Sequence, residues 1–183
     1  MKTVEELKVR IFADGADRAG MLEMYRKPFI KGFTTNPTLM RKAGVSNYEV
    51  FAKDIIRAIP DRSISFEVFA DDFAEMERQA RRIASWGKHV SVKIPITNTK
   101  GESAIPLVDK LSHDGIALNV TAMFTLEQVQ DVVDAAKGGA GGGGATLTPL
   151  GQRMLSAYRD LEAAALKAGA RELAVMHRAL AEH

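Results

Sequence analysis

The chain has 183 residues, 46% of them apolar and 26% charged, a balance that suits one well-cored domain and argues against a disordered, collagenous or coiled-coil chain. Lysine and arginine number 25 against 23 acidic residues, so a net charge of +2 advertises no polyanion partner, and zero cysteines remove disulfides, zinc-thiolate sites and thiol catalysis. The opening MKTVEELKVR has no apolar core of signal-peptide length, and no stretch approaches the roughly 18 apolar residues of a membrane span, so a cytoplasmic protein with no membrane partner is expected.

Five short segments rich in β-branched and aromatic residues read as strands: VRIFAD (9–14), KGFTTN (31–36), SISFEVF (63–69), HVSVKIP (89–95) and IALNVTA (116–122). After the first come Met21, Leu22, Met24 and Tyr25, after the second Tyr48, Phe51, Ile55 and Ile56, and after the third Phe73, Met76, Ala80 and Ile83, each at helical spacing. Strand alternating with helix predicts parallel α/β architecture with helices covering the sheet. The units recur about every 27 residues, whereas a closed eight-fold β/α barrel takes about 250 residues. Five units are therefore legible, over residues 1–137.

The character then changes. Residues 138–145 read GGAGGGGA, which suits a flexible linker or turn; a hairpin tip is a second reading, and no GK[ST] follows to make a phosphate loop. A helical tail occupies 146–183. Thr148 and Pro149 suit a helix start, and Leu150, Met154, Ala157, Leu161 and Ala164 share one face. Gly169 punctuates this helix, and Leu173, Met176 and Leu180 continue a shorter one. Both are expected to dock on an apolar surface.

Side chains of a strand alternate between the two faces. Val90, Val92 and Ile94 share one face, which leaves Ser91 and Lys93 on the other. The same parity sends Ile64, Phe66 and Val68 towards the helices and Ser65 and Glu67 inward. It sends Leu118 and Val120 out and Asn119 and Thr121 in, and on the first strand it puts Phe12 and Asp14 inward. One interior thus collects Asp14, Glu67, Lys93, Asn119 and Thr121.

A lysine between valine and isoleucine needs a reason, because a buried unpaired ammonium is costly. One reading is an ion pair with Glu67, seldom worth its desolvation. The other is a nucleophile: burial favours the neutral amine of a lysine, which can attack a carbonyl to form a Schiff base, while two carboxylates in different environments move protons. Parity does not choose between them.

GFTTNPTLMRKAG (32–44), HVSVKIP (89–95) and ALNVTAMF (117–124), with IFADGAD (11–17) ahead and SFEVFA (65–70) between, resemble the transaldolase family, collinearly over residues 9–137. The resemblance implies a TIM-type β/α barrel, here incomplete, acting on sugar phosphates with no metal or other cofactor. It further implies Lys93 as the Schiff-base lysine, Asp14 and Glu67 as the acid/base pair working through a water, and Thr34, Asn36, Asn119 and Thr121 as the polar lining that binds substrate. Glutamate at position 67 is the transaldolase choice, where the related fructose-6-phosphate aldolases tend to carry glutamine. Gly15 stands where the family often has threonine.

Past residue 137 the serine and arginine that grip substrate phosphate in the family are not recognised, and Arg153 sits in an unmatched context. KGGAGGGGATLTPLGQRMLSAYRDLEA (137–163) instead resembles the wing and dimerisation segment of molybdate-responsive transcription regulators, without their recognition helix. That implies a joined chain with no sequence-specific nucleic-acid binding. The expected activity is transfer of a dihydroxyacetone unit between sugar phosphates, as in the pentose phosphate pathway. The alternative is an impaired remnant that only self-associates, since open strand edges invite pairing; a homo-oligomer is expected in either case. His89, His113, His177 and His183 are scattered, Trp86 reads as packing at a helix end, Arg78, Arg81 and Arg82 as a solvated helix face, and Lys100 as the solvated start of a helix.

Overall fold

The computed structural model describes residue 4, residues 9–135, residues 149–172 and residue 174. Five strands, β1 (Ile11–Asp14), β2 (Ile30–Thr34), β3 (Ser63–Glu67), β4 (Val90–Pro95) and β5 (Leu118–Thr121), pair in chain order, every neighbour parallel, as a curled half-barrel. All five strand segments read from the sequence form, each trimmed at one or both ends. The connections carry α1 (Arg18–Tyr25), α2 (Pro37–Lys42), α3 (Tyr48–Ala58), α4 (Phe73–Ala84) and α5 (Ile105–His113), with α6 (Leu126–Ala135) after β5 and α7 (Pro149–Ala168) beyond.

Local chemistry explains the helix starts. Asp17, Asn36, Asn47 and Asp72 each stand in extended backbone and accept a hydrogen bond from the amide three residues on, which satisfies one of the orphan donors of a first turn. The short helix α2 has no counterpart in the periodicity reading, because six residues are too few to show a period; Asn36 as cap and Pro37 at the first position start it. Lys100 does not begin a helix. Residues 97–103 instead form a bridged turn in which Asn98 Oδ1 accepts from the amides of Lys100 and Glu102, and α5 starts only at Ile105.

The alternation seen in the sequence sets the packing. Phe33, Ile64, Phe66, Val92 and Ile94 are fully buried on the helix-facing side, against Met21, Ala52, Ile55, Met76, Ala80, Ile83, Val108 and Leu111. Truncating a ring such as Phe66 in this layer costs about 3–5 kcal/mol. Trp86 fulfils its expected role: its ring meets Tyr48 and Phe66 edge to face at 5.3 and 5.7 Å. The arginines of α4 are exposed as expected, yet each is paired. Arg78 binds Glu75, Arg81 binds Glu77 and Asp114, and Arg82 binds Glu49.

The tail departs from expectation. α7 begins at Pro149 and ends before Gly169 as read from the sequence, but Tyr158, Leu161 and Leu166 stand in solvent, with Leu161 65% exposed. Residues 138–145 and Leu173, Met176 and Leu180 lie outside the described residues.

Two predictions follow from this packing. Gly32 sits beneath the Phe12 ring, where a Cβ would come within 2.3 Å of Phe12 Cε1 and 2.8 Å of the Ser63 carbonyl oxygen. Gly32→Ala should therefore destabilise the fold by about 1–3 kcal/mol in denaturant titration, and an unchanged midpoint would refute the contact. Glu77, held by Lys110 and then Arg81, has its carboxyl below the ordinary value of 4.5. A lowered folded-state value stabilises above the unfolded value and is lost as pH falls through the folded one. Unfolding midpoints should thus fall with pH below about 4.5, and less steeply in Glu77→Gln; equal slopes would exclude the pair.

Candidate active site

Four polar residues end their strands. Asp14 closes β1, Thr34 closes β2, Glu67 closes β3 and Thr121 closes β5, while Lys93 lies inside β4. In parallel β/α barrels this carboxyl end is where loops and strand termini assemble reacting groups. Register aligns them laterally. Asp14 faces Thr34 across β1 and β2, Glu67 faces Lys93 across β3 and β4, and Lys93 faces Asn119 across β4 and β5.

Lys93 is the centre. It is only 9% exposed, and its Nζ lies 3.3 Å from Glu67 Oε2 and donates to the Thr35 carbonyl oxygen at 3.1 Å. The ion-pair reading names Glu67 as the partner of this lysine, and that contact is formed. One hydrogen bond and one ion-pair contact thus hold the amine, which offsets part of the cost of burying a charge there. Glu67 itself stays half-buried, at the open side of the pair.

Ser65, fully buried one pleat below Glu67, gathers the neighbouring strands. Its hydroxyl accepts from Asn119 Nδ2 at 3.1 Å, and its carbonyl accepts from the Thr35 amide at 3.1 Å and from the Thr35 hydroxyl at 3.0 Å. Asn119 is thus held inward beside Lys93. Thr121 is half-buried at the rim, and the next residue, Ala122, has φ of 60°, a left-handed backbone that turns the chain away from the strand.

Asp14 and Thr34 form a second cluster. The Thr34 hydroxyl donates to Asp14 Oδ1 at 2.7 Å, and the amide of Gly15 donates to the Thr34 carbonyl at 3.0 Å. Asp14 is exposed and three strands from β4 along the sheet, beyond direct contact with the lysine, so the two carboxylates differ in surroundings as well as in position. A Cβ at Gly15 would meet nothing within 4 Å, so the backbone leaves room for the larger side chain that the family often carries.

Asn36 is also engaged: its Oδ1 accepts from the Leu39 amide at 2.8 Å as the cap of α2. Two residues at the site went unremarked in the sequence. Thr35 was visible only as part of the TTNP run, and its contribution is a main-chain carbonyl, which no side-chain pattern announces. Tyr48 looked like one apolar position of a helix, yet its hydroxyl donates to the Glu67 carbonyl at 2.9 Å.

Among the described residues, no group of three or more histidines, aspartates or glutamates could hold a metal ion, and no helix is long and apolar enough to cross a membrane.

The family model described as Transaldolase/Fructose-6-phosphate aldolase matches residues 11–181. Its span runs past residue 137 and across 137–163, so the family is followed further than the motifs alone suggested, and the likeness of that stretch to transcription regulators finds no support. A probable transaldolase of Dehalococcoides mccartyi is 36% identical over 152 residues, covering 83% of this chain and 65% of that protein. A probable transaldolase of Hyphomonas neptunium is 36% identical over 132 residues, 72% of this chain and 57% of that protein, and one of Streptococcus agalactiae is 38% identical over 120 residues, 66% and 53%. The matched stretch thus spans less than two thirds of each relative's length. With a parallel β/α half-barrel, polar residues at the carboxyl ends of its strands and a family match over nearly its whole length, this chain belongs to the transaldolase/fructose-6-phosphate aldolase family.

Proposed function

We propose that the chain carries the Schiff-base half of a transaldolase-type reaction, moving a dihydroxyacetone unit from a ketose phosphate to an aldose phosphate. The observation that carries this reading is the Lys93 amine, buried in the barrel wall with a carboxylate at 3.3 Å and the carboxyl-end rim above it.

The chemistry follows from those groups. A lysine attacks a carbonyl only as the free amine. Glu67 is near enough to take a proton from Lys93 and to return it to the departing hydroxyl, so that carbinolamine loses water and becomes the imine. The protonated imine then accepts the electron pair released when the bond between C3 and C4 of the ketose breaks, which leaves a neutral enamine, and the aldose leaves as an aldehyde. The retained enamine adds to the acceptor aldehyde, and water hydrolyses the new imine. Asp14, across the interior and bonded to Thr34, is assigned the proton on the cleaving hydroxyl, relayed with Glu67 through water. Asn119, Thr121 and Thr34 offer hydroxyl and amide groups to the sugar, and Asn36 does so through its amide nitrogen alone, its oxygen being held by α2. Glutamate at position 67 favours transaldolase over fructose-6-phosphate aldolase as the subtype. No cofactor enters these steps, the reaction is one of carbohydrate metabolism, and cytoplasm is the assigned location.

Turnover from fructose 6-phosphate to an aldose phosphate acceptor tests the reading. Lys93→Met should abolish transfer, and Glu67→Gln should lower kcat by about 10²–10⁴-fold, the usual contribution of a positioned acid/base group. Transfer retained by Lys93→Met would refute the assignment. A wild-type chain that transfers nothing, yet associates with itself, would favour the alternative of an impaired remnant with open strand edges.

A further inference from the structure

Lys93 is gripped by Glu67 at the end of β3 and by Thr35 just past β2, and the first grip leads to a side chain on α3. Glu67 supplies the carboxylate at 3.3 Å, and Thr35 supplies the carbonyl at 3.1 Å. The phenol of Tyr48, the first residue of α3, donates to the main-chain carbonyl of Glu67 at 2.9 Å. Tyr48 is therefore bonded to the main chain of one of the two residues that hold the lysine, from helix α3.

The ring is as constrained as the hydroxyl. It meets Phe69 at 4.7 Å, Trp86 at 5.3 Å and Phe66 at 6.0 Å, each nearly perpendicular. Those partners come from β3, the loop after it and the end of α4, so the phenol has little freedom to swing. The outer side of this aromatic cluster forms the wall of a cavity of about 610 Å³ between α3 and α4, which the site does not use. Burial pushes the Tyr48 phenol up from its ordinary value, so it remains a protonated donor across the neutral range.

We propose, resting on the Schiff-base reading above, that Tyr48 is a positioning residue that sets the distance between Lys93 and Glu67 by pinning the end of β3. Without the hydroxyl, the Glu67 carbonyl at the last residue of its strand loses its tie to α3, and the carboxylate it carries is free to shift relative to Nζ. A shift of this kind weakens proton transfer far more than it weakens sugar binding, because acid/base steps depend on short, aligned distances.

Tyr48→Phe removes the hydroxyl and keeps the ring in its aromatic cluster, so folding should survive, which circular dichroism and the melting curve verify. Tyr25→Phe serves as the control: its phenol donates to Asp61 at 2.6 Å, at the other end of the sheet. Two readouts are taken. Trace labelling by acetic anhydride, quantified by mass spectrometry, gives the reactivity of Lys93 relative to the exposed Lys100 across a pH series. Steady-state transfer gives kcat and KM. Tyr48→Phe should change the relative reactivity of Lys93 by about threefold to tenfold, the scale of one lost hydrogen bond, and should lower kcat by a similar factor with KM nearly constant. Tyr25→Phe should alter neither. Labelling of Lys93 that is unchanged in Tyr48→Phe at every pH overturns the proposal. Absence of transfer in the wild-type chain would instead count against the Schiff-base reading, and the labelling comparison, which needs no turnover, would still decide the role of Tyr48.

Discussion

A single buried ammonium organises the carboxyl end of this sheet. Lys93 projects from the strand that lies between β3 and β5, where an uncompensated charge would cost several kcal/mol. The structure answers that cost with the Glu67 carboxylate and the Thr35 carbonyl, and the rest of the site is arranged to keep those two in place. Ser65 ties Thr35 to β3 and Asn119 to the same strand, while Tyr48 reaches through from the helix layer to the end of β3.

The same arrangement explains why the hydrophobic layer sits on one face only. Phe33, Ile64, Phe66, Val92 and Ile94 give the helices a continuous apolar surface, and the opposite face is left to Phe12, Ser63, Ser65, Ser91 and the charged residues. Phe12, 38% exposed over the bare backbone of Gly32, is the sole large apolar side chain that the first strand's parity sends inward. Strand ends that stop at Asp14, Thr34, Glu67 and Thr121 then place their functional groups at one rim.

Much of this was legible in the sequence, for definite reasons. A strict two-residue alternation survives in VSVKIP and SISFEV, so the facing of Lys93 and Glu67 could be read from parity alone. Their register pairing could not, since parity says nothing of how far one strand slides past the next. The short helix α2 and the turn at 97–103 escaped because caps and side-chain turns leave little periodicity, which also misplaced Lys100. Thr35 acts through its main chain, and Tyr48 was concealed by a helical pattern that explains its ring but not its hydroxyl. The tail misled in another way. An apolar stripe on α7 states that something could cover it and says nothing of whether this sheet does; of its described members, Ala157, Leu161 and Ala164 are exposed.

The central claim is that Lys93 is the covalent nucleophile. The most direct measurement is incubation with dihydroxyacetone, reduction with borohydride and peptide mapping by mass spectrometry, with Lys93→Met alongside. The account predicts one reduced three-carbon adduct on Lys93 and none in the variant. No adduct on Lys93, or adducts spread evenly over exposed lysines such as Lys53 and Lys110, would contradict it.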